Sequence, residues 1–146
     1  MPRFLHQRQK YTCGPVAILN ALKFFGRRVT EKNLPKIVKI TKCDPYAGTL
    51  PSGLEKGLRA VKKGLFKLKK AKPSYSKLLT HLDILNPAIL IYPAQDNNFH
   101  AVLLFQKKGQ KYIINDKDGK TVQVISDFDL FDLVQPESML YLLTAI

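Results

Sequence analysis

Cys13 is followed by Gly14-Pro15 and then by apolar residues at helical spacing, with Ile18, Leu22 and Phe25 on one face. That places a thiol at or just before the head of a largely buried helix. There the positive end of the helix dipole favours the thiolate, the form of cysteine that attacks a carbonyl. Such a nucleophile needs a base, and the chain has three histidines, His6, His81 and His100. His81 falls among leucines in the middle of a helical pattern and reads as surface or core. His6 is near Cys13 in sequence. His100 opens an apolar strand after the polar run Gln95-Asp96-Asn97-Asn98-Phe99, and a strand end reaches a cleft more readily than a strand middle. The base in turn needs a group that fixes its tautomer. Asp116, at the end of the strand 111–115, suits that role better than Asp118, which belongs to a turn; Asn115 is a further candidate. An oxyanion formed at the attacked carbonyl needs donors. The Cys13 backbone N–H supplies one, and Gln7 or Gln9 a side-chain amide for the other. Taken singly, each of these residues also has a structural reading: a buried cysteine, a loop histidine, a turn-capping aspartate.

The elements that must position these groups follow from the pattern. Gly26 stops the first helix. Thr30 caps a second one carrying Leu34, Ile37 and Val38. Residues 43–49 read as a loop, and a third helix runs from about Pro51 to Gly64. Residues 65–69 form a short half-buried strand, and Ser74 opens a fourth helix with Leu78, Leu79, Leu82 and Leu85. From residue 87 the character changes. Strands are expected at 88–92, 100–105, 111–115, 121–125 and 139–144, separated by turn residues. Helices first and a strand meander afterwards make an α+β pattern. We expect one domain over 1–146, with a helical lobe over about 1–86 packed on an antiparallel sheet over about 87–146.

Composition narrows the function classes. The chain has 146 residues, 45% hydrophobic and 24% charged, enough for a buried core. No apolar run approaches the roughly 20 residues of a bilayer span, and the opening lacks the apolar stretch of a secretory signal. Two cysteines, Cys13 and Cys43, make neither a disulfide framework nor a zinc cage. There is no Gly-rich phosphate-binding motif. The reading calls for no cofactor, no metal and no membrane span, and for a cytoplasmic location. Net charge is +13, with residues 1–115 at +17 and residues 116–146 at −4. The lysine-rich stretch 56–72 reads first as solvated surface; an acidic partner is the sharper alternative, and nucleic acid is disfavoured. Cys43 reads as a free structural cysteine.

The segment Gln7-Arg8-Gln9-Lys10-Tyr11-Thr12-Cys13-Gly14-Pro15, with its helix ending Phe24-Phe25-Gly26, resembles the nucleophile segment of the double-glycine-leader, bacteriocin-processing cysteine peptidases of the papain-like superfamily. Further resemblances follow in order: Gly48-Thr49 before a Leu-rich helix ending at Gly64-Leu65, Asn86-Pro87-Ala88-Ile89-Leu90-Ile91, Phe99-His100-Ala101-Val102-Leu103, and Ile114-Asn115-Asp116 with Gly119. The resemblance implies a papain-like fold and a peptide substrate. It implies Cys13 as nucleophile, His100 as general base and acid, Asp116 as orienter, and Gln7, five residues clear of Cys13, in the oxyanion hole. Two departures stand out: Asp116 is followed by Lys117 where the family has proline, and a stand-alone domain without the family's transporter is expected. Besides a peptidase, the same groups would serve an acyltransferase or amidase, and the charge would serve a non-catalytic basic binding domain.

Overall fold

The computed structural model describes residues 2–46, 48–94, 98–116 and 118–146. The loop residues 95–97 before His100, Ala47 within the loop 43–49, and Lys117 lie outside the described residues. Among these described residues, five helices, α1 (Cys13–Phe24), α2 (Leu34–Thr41), α3 (Pro51–Val61), α4 (Tyr75–Asp83) and α5 (Asp127–Leu133), surround six strands. The strands are β1 (Phe66–Ala71), β2 (Ala88–Pro93), β3 (Phe99–Lys107), β4 (Gln110–Ile114), β5 (Val122–Val124) and β6 (Met139–Ala145).

The strands form one antiparallel sheet in the order β1-β6-β2-β3-β4-β5. The expected meander holds from β2 to β5. The last strand instead returns to lie between β1 and β2, so β1 extends the sheet rather than standing apart with the helices. Strand alternation sends Ile89, Ile91, Leu103 and Phe105 to one face, against Ile18 and Leu19 of α1 and Leu54 and Leu58 of α3. Leu90, Tyr92, Val102 and Leu104 go to the other, against Leu78 and Leu82 of α4 and Leu130 of α5. The molecule is therefore helices on sheet on helices, and the expected helical lobe is split: α4 crosses to the far face.

α1 is buried from Cys13 through Leu22, as a helix apolar on nearly every side must be. It ends at Gly26, whose φ of +89° and the hydrogen bond from the Arg27 N–H to the Leu22 carbonyl form a left-handed stop. Thr30 caps a short 3-10 turn leading into α2, and Ser74 caps α4 through the Lys77 N–H. Leu85, expected inside the fourth helix, lies beyond its end with φ +63° and is exposed. α5 was not expected. It spans seven residues and buries only Leu130, so apolar periodicity does not announce it. Its signal is Ser126, which caps the Asp129 N–H, with two aspartates in the first turn.

Candidate active site

A 3-10 turn over Lys10–Thr12 feeds α1, so Cys13 opens the α-helix in a buried position. Gly14 makes that possible: a Cβ there would lie 2.5–2.6 Å from side-chain atoms of Thr49, so the loop before α3 packs directly on the helix head. The backbone N–H groups of Ala101, the residue after His100 on β3, and of Gly14 favour the Cys13 thiolate. Burial nevertheless dominates and pushes the Cys13 thiol above its ordinary range. The thiolate expected from the helix dipole is thus not the favoured resting form, because loss of water outweighs the helix and its N–H donors.

On β3, His100 stands opposite Tyr92 of β2, the two rings meeting edge-on at 5.6 Å. β4 ends one residue earlier than expected, because Asn115 turns left-handed at φ +57°. This turn brings the Asn115 carbonyl to 2.8 Å from His100 Nε2. A carbonyl only accepts, so Nε2 carries a proton, which leaves Nδ1 as the nitrogen able to exchange one. Asp116 follows, and its Oδ1 accepts from the Tyr92 hydroxyl at 2.5 Å. Burial first, then this carboxylate, raise the Tyr92 hydroxyl far above the usual tyrosine range, so it remains a donor.

Gln7 comes from an N-terminal stretch that joins no helix or strand. The stretch is held by two buried asparagines. Leu5 donates its N–H to Asn20 Oδ1 (2.7 Å), and its carbonyl accepts from Asn20 Nδ2 (3.1 Å) and Asn115 Nδ2 (2.8 Å). The Gln7 N–H donates to Asn115 Oδ1 at 2.9 Å. The Gln7 amide itself donates to the carbonyls of Gln9 (2.9 Å) and Lys10 (3.1 Å). It is anchored on the turn that leads to Cys13, and donating into the cleft requires one of those protons.

Gln7, Cys13, His100 and Asp116 all line one cleft of about 550 Å³. Lys10 and Lys120 stand on its lining too, as do the exposed rings of Tyr46 and Phe99. His6 also lines the cleft, with Nδ1 on the Thr121 hydroxyl at 2.8 Å. His81 is elsewhere: it is buried, with Nε2 shared between the Pro87 and Leu143 carbonyls at 2.9 and 3.0 Å. Cys43 is buried and free, its thiol donating to the Tyr11 carbonyl. The residues that sequence reasoning missed are Asn20 and Tyr92. Both sit inside apolar runs, and only their polar ends distinguish them from core. Among the described residues there is no cluster of metal-ligating side chains and no helix long and apolar enough to cross a membrane.

The family model described as the peptidase C39 family matches residues 3–131. A search of curated proteins finds no match. Among solved structures, the peptidase domain of Streptococcus ComA, a bi-functional ABC transporter involved in a quorum sensing pathway, superposes with a TM-score of 0.74 at 14% identity, over all of both chains. A double glycine motif protease from an AMS/PCAT transporter, in complex with the leader peptide, gives 0.69 at 16% identity, covering all of this chain and 93% of the other. The likeness is one of fold: the papain-like α+β arrangement of these peptidase domains.

Proposed function

We infer that this chain, which belongs to the peptidase C39 family and is therefore a cysteine peptidase, cleaves peptides through Cys13, with His100, Asp116 and Gln7 in the roles its sequence suggests. The observation that carries the assignment is the single cleft onto which these four separated residues converge. The Cys13 thiol, held protonated by burial, passes its proton to Nδ1 of His100 as the sulfur bonds to the substrate carbonyl carbon. The oxyanion is met by the Cys13 backbone N–H and by a proton of the Gln7 amide, released from one of its two carbonyls. The C–N bond then breaks, the amine leaves with the proton from His100, and a thioester remains. Water gives a proton to His100 as it attacks the thioester; the C–S bond then breaks, the acid departs, and His100 returns the proton to the sulfur. Asp116 fixes the geometry behind the base, steadied by Tyr92.

The substrate is a peptide that lies in the cleft beside Tyr46 and Phe99 and is cut after a glycine pair, by analogy with the double glycine motif protease it resembles in fold. The test is hydrolysis of a peptidyl-Gly-Gly aminocoumarin amide. Wild type turns it over and Cys13→Ala does not. Iodoacetamide should modify Cys13, which lines the cleft, before Cys43, which does not, with a rate that climbs as pH rises because the thiol is raised. Equal, slow modification of both cysteines, with Cys13→Ala as active as wild type, would refute the assignment. An added amine that captures the thioester in place of water would convert the reading to an acyltransferase.

A further inference from the structure

We propose that Asn115 is a positioning residue that holds the oxyanion side of the cleft in register with the base side, acting through Gln7; the proposal rests on the roles just assigned. Every polar group of Asn115 is committed. Its carbonyl accepts from His100 Nε2 at 2.8 Å, and its N–H donates to the Thr121 carbonyl at 2.8 Å. Its side-chain oxygen accepts the Gln7 N–H at 2.9 Å, and its side-chain nitrogen donates to the Leu5 carbonyl at 2.8 Å. One buried residue therefore touches both the base and the backbone of the oxyanion donor, which lie far apart in sequence.

The residue type fits this task closely. The backbone at φ +57° is the left-handed region, which asparagine adopts more readily than most residues. The side chain must accept at one atom and donate from another, and among side chains this short only the asparagine amide carries a separate carbonyl oxygen and NH2 group. Aspartate would accept from Gln7 but set an oxygen against the Leu5 carbonyl. Glycine would keep the backbone turn and the His100 contact but release residues 5–7. That stretch has no ladder of its own, so its place depends on such side-chain bonds. Asn20 grips only Leu5. Asn115 alone among the described hydrogen bonds reaches the Gln7 main chain.

The two halves of the site are separable by chemistry. Alkylation of Cys13 by iodoacetamide develops no oxyanion and reads only the sulfur and the base. Amide hydrolysis needs the oxyanion donors as well. Asn115→Gly should therefore lower kcat on the peptidyl-Gly-Gly aminocoumarin amide about tenfold or more, with KM changed far less. The rate and pH profile of Cys13 alkylation should match wild type. Gln7→Ala should lower kcat similarly, and the double variant should be no worse than Gln7→Ala, because both changes remove one contribution. Asn115→Asp, which retains the acceptor for Gln7, should lose less than Asn115→Gly, and it carries the same cycle if the glycine variant fails to fold. If the two losses multiply, or alkylation slows in step with turnover, the positioning role is overturned while the Gln7 assignment stands. If Gln7→Ala keeps wild-type kcat, the oxyanion assignment falls and this proposal with it.

Discussion

Tyr92→Phe removes one oxygen from the site and little else. The ring stays, so its edge-on contact with His100 and its packing under α4 persist. What is lost is the hydroxyl donor that Asp116 Oδ1 accepts at 2.5 Å. A hydrogen bond to a charged group in a sheltered place contributes about 1.5–3 kcal/mol net. In a chain of this size about 1 kcal/mol moves the unfolding temperature by roughly 2–4 °C, so a fall of about 3–12 °C is expected in a thermal melt. If half of that energy reaches the transition state through a loosened Asp116, kcat/KM falls by about 4–12-fold. Because the Tyr92 hydroxyl stays protonated far beyond the usual tyrosine range, its own ionisation makes no limb in the pH–rate profile. The variant should keep the wild-type profile at a lower height. A Tyr92→Phe protein that melts and turns over like wild type would refute the view that this hydroxyl steadies the carboxylate. So would one whose alkaline limb moves.

Gly53→Ala should destabilise although alanine is the better helix former by about 1 kcal/mol: a Cβ there would lie 2.2 Å from the Thr41 backbone carbonyl, so α3 would have to move off α2. Overpacking of about 1–3 kcal/mol against an obstacle that is main chain should leave a net loss, read as a lower urea midpoint; a raised midpoint would refute the close approach. Tyr141, whose hydroxyl donates to the Pro51 carbonyl, is pushed up to about 12 by burial first and Glu55 second. Its folded value exceeds its unfolded one, so its contribution is full below about pH 10 and fades as pH climbs towards 12. Urea midpoints should fall across that window, and Tyr141→Phe should flatten the fall; an unchanged slope would refute this.

The parts of the fold written in local chemistry were legible in the sequence. Gly26, Thr30 and Ser74 mark helix ends by capping and left-handed turns, and the continuous apolar run Ala88–Tyr92 between two prolines is a buried strand wherever it is placed. The return of β6 between β1 and β2 was not legible, because pairing partners are chosen by the whole sheet and leave no mark within the strand. α5 was hidden because its two phenylalanines face solvent and only Leu130 reaches the core. At the site, residue types and order pointed to Cys13, His100 and Asp116 and left Gln7 beside Gln9; the family resemblance singled out Gln7. The ionisation of Cys13 was not legible, since helix position is visible in sequence and depth of burial, which raises the thiol, is not. Asn115 was visible only as one of several candidates to orient a histidine. That it does so through its main chain, with its side chain turned to Gln7, depends on a left-handed backbone that residue type permits but does not require.

The placement of β6 bears on how the protein is made. Synthesis delivers the helix headed by Cys13 early and the four strands β2–β5 next, yet the strand that joins them to β1 is translated after all of these. Until residues 139–145 emerge, β1 has no neighbour and β2 presents a bare edge to the crowded interior of the cell. A nascent chain halted before that point would carry every residue assigned to the chemistry and still lack the central seam of its sheet.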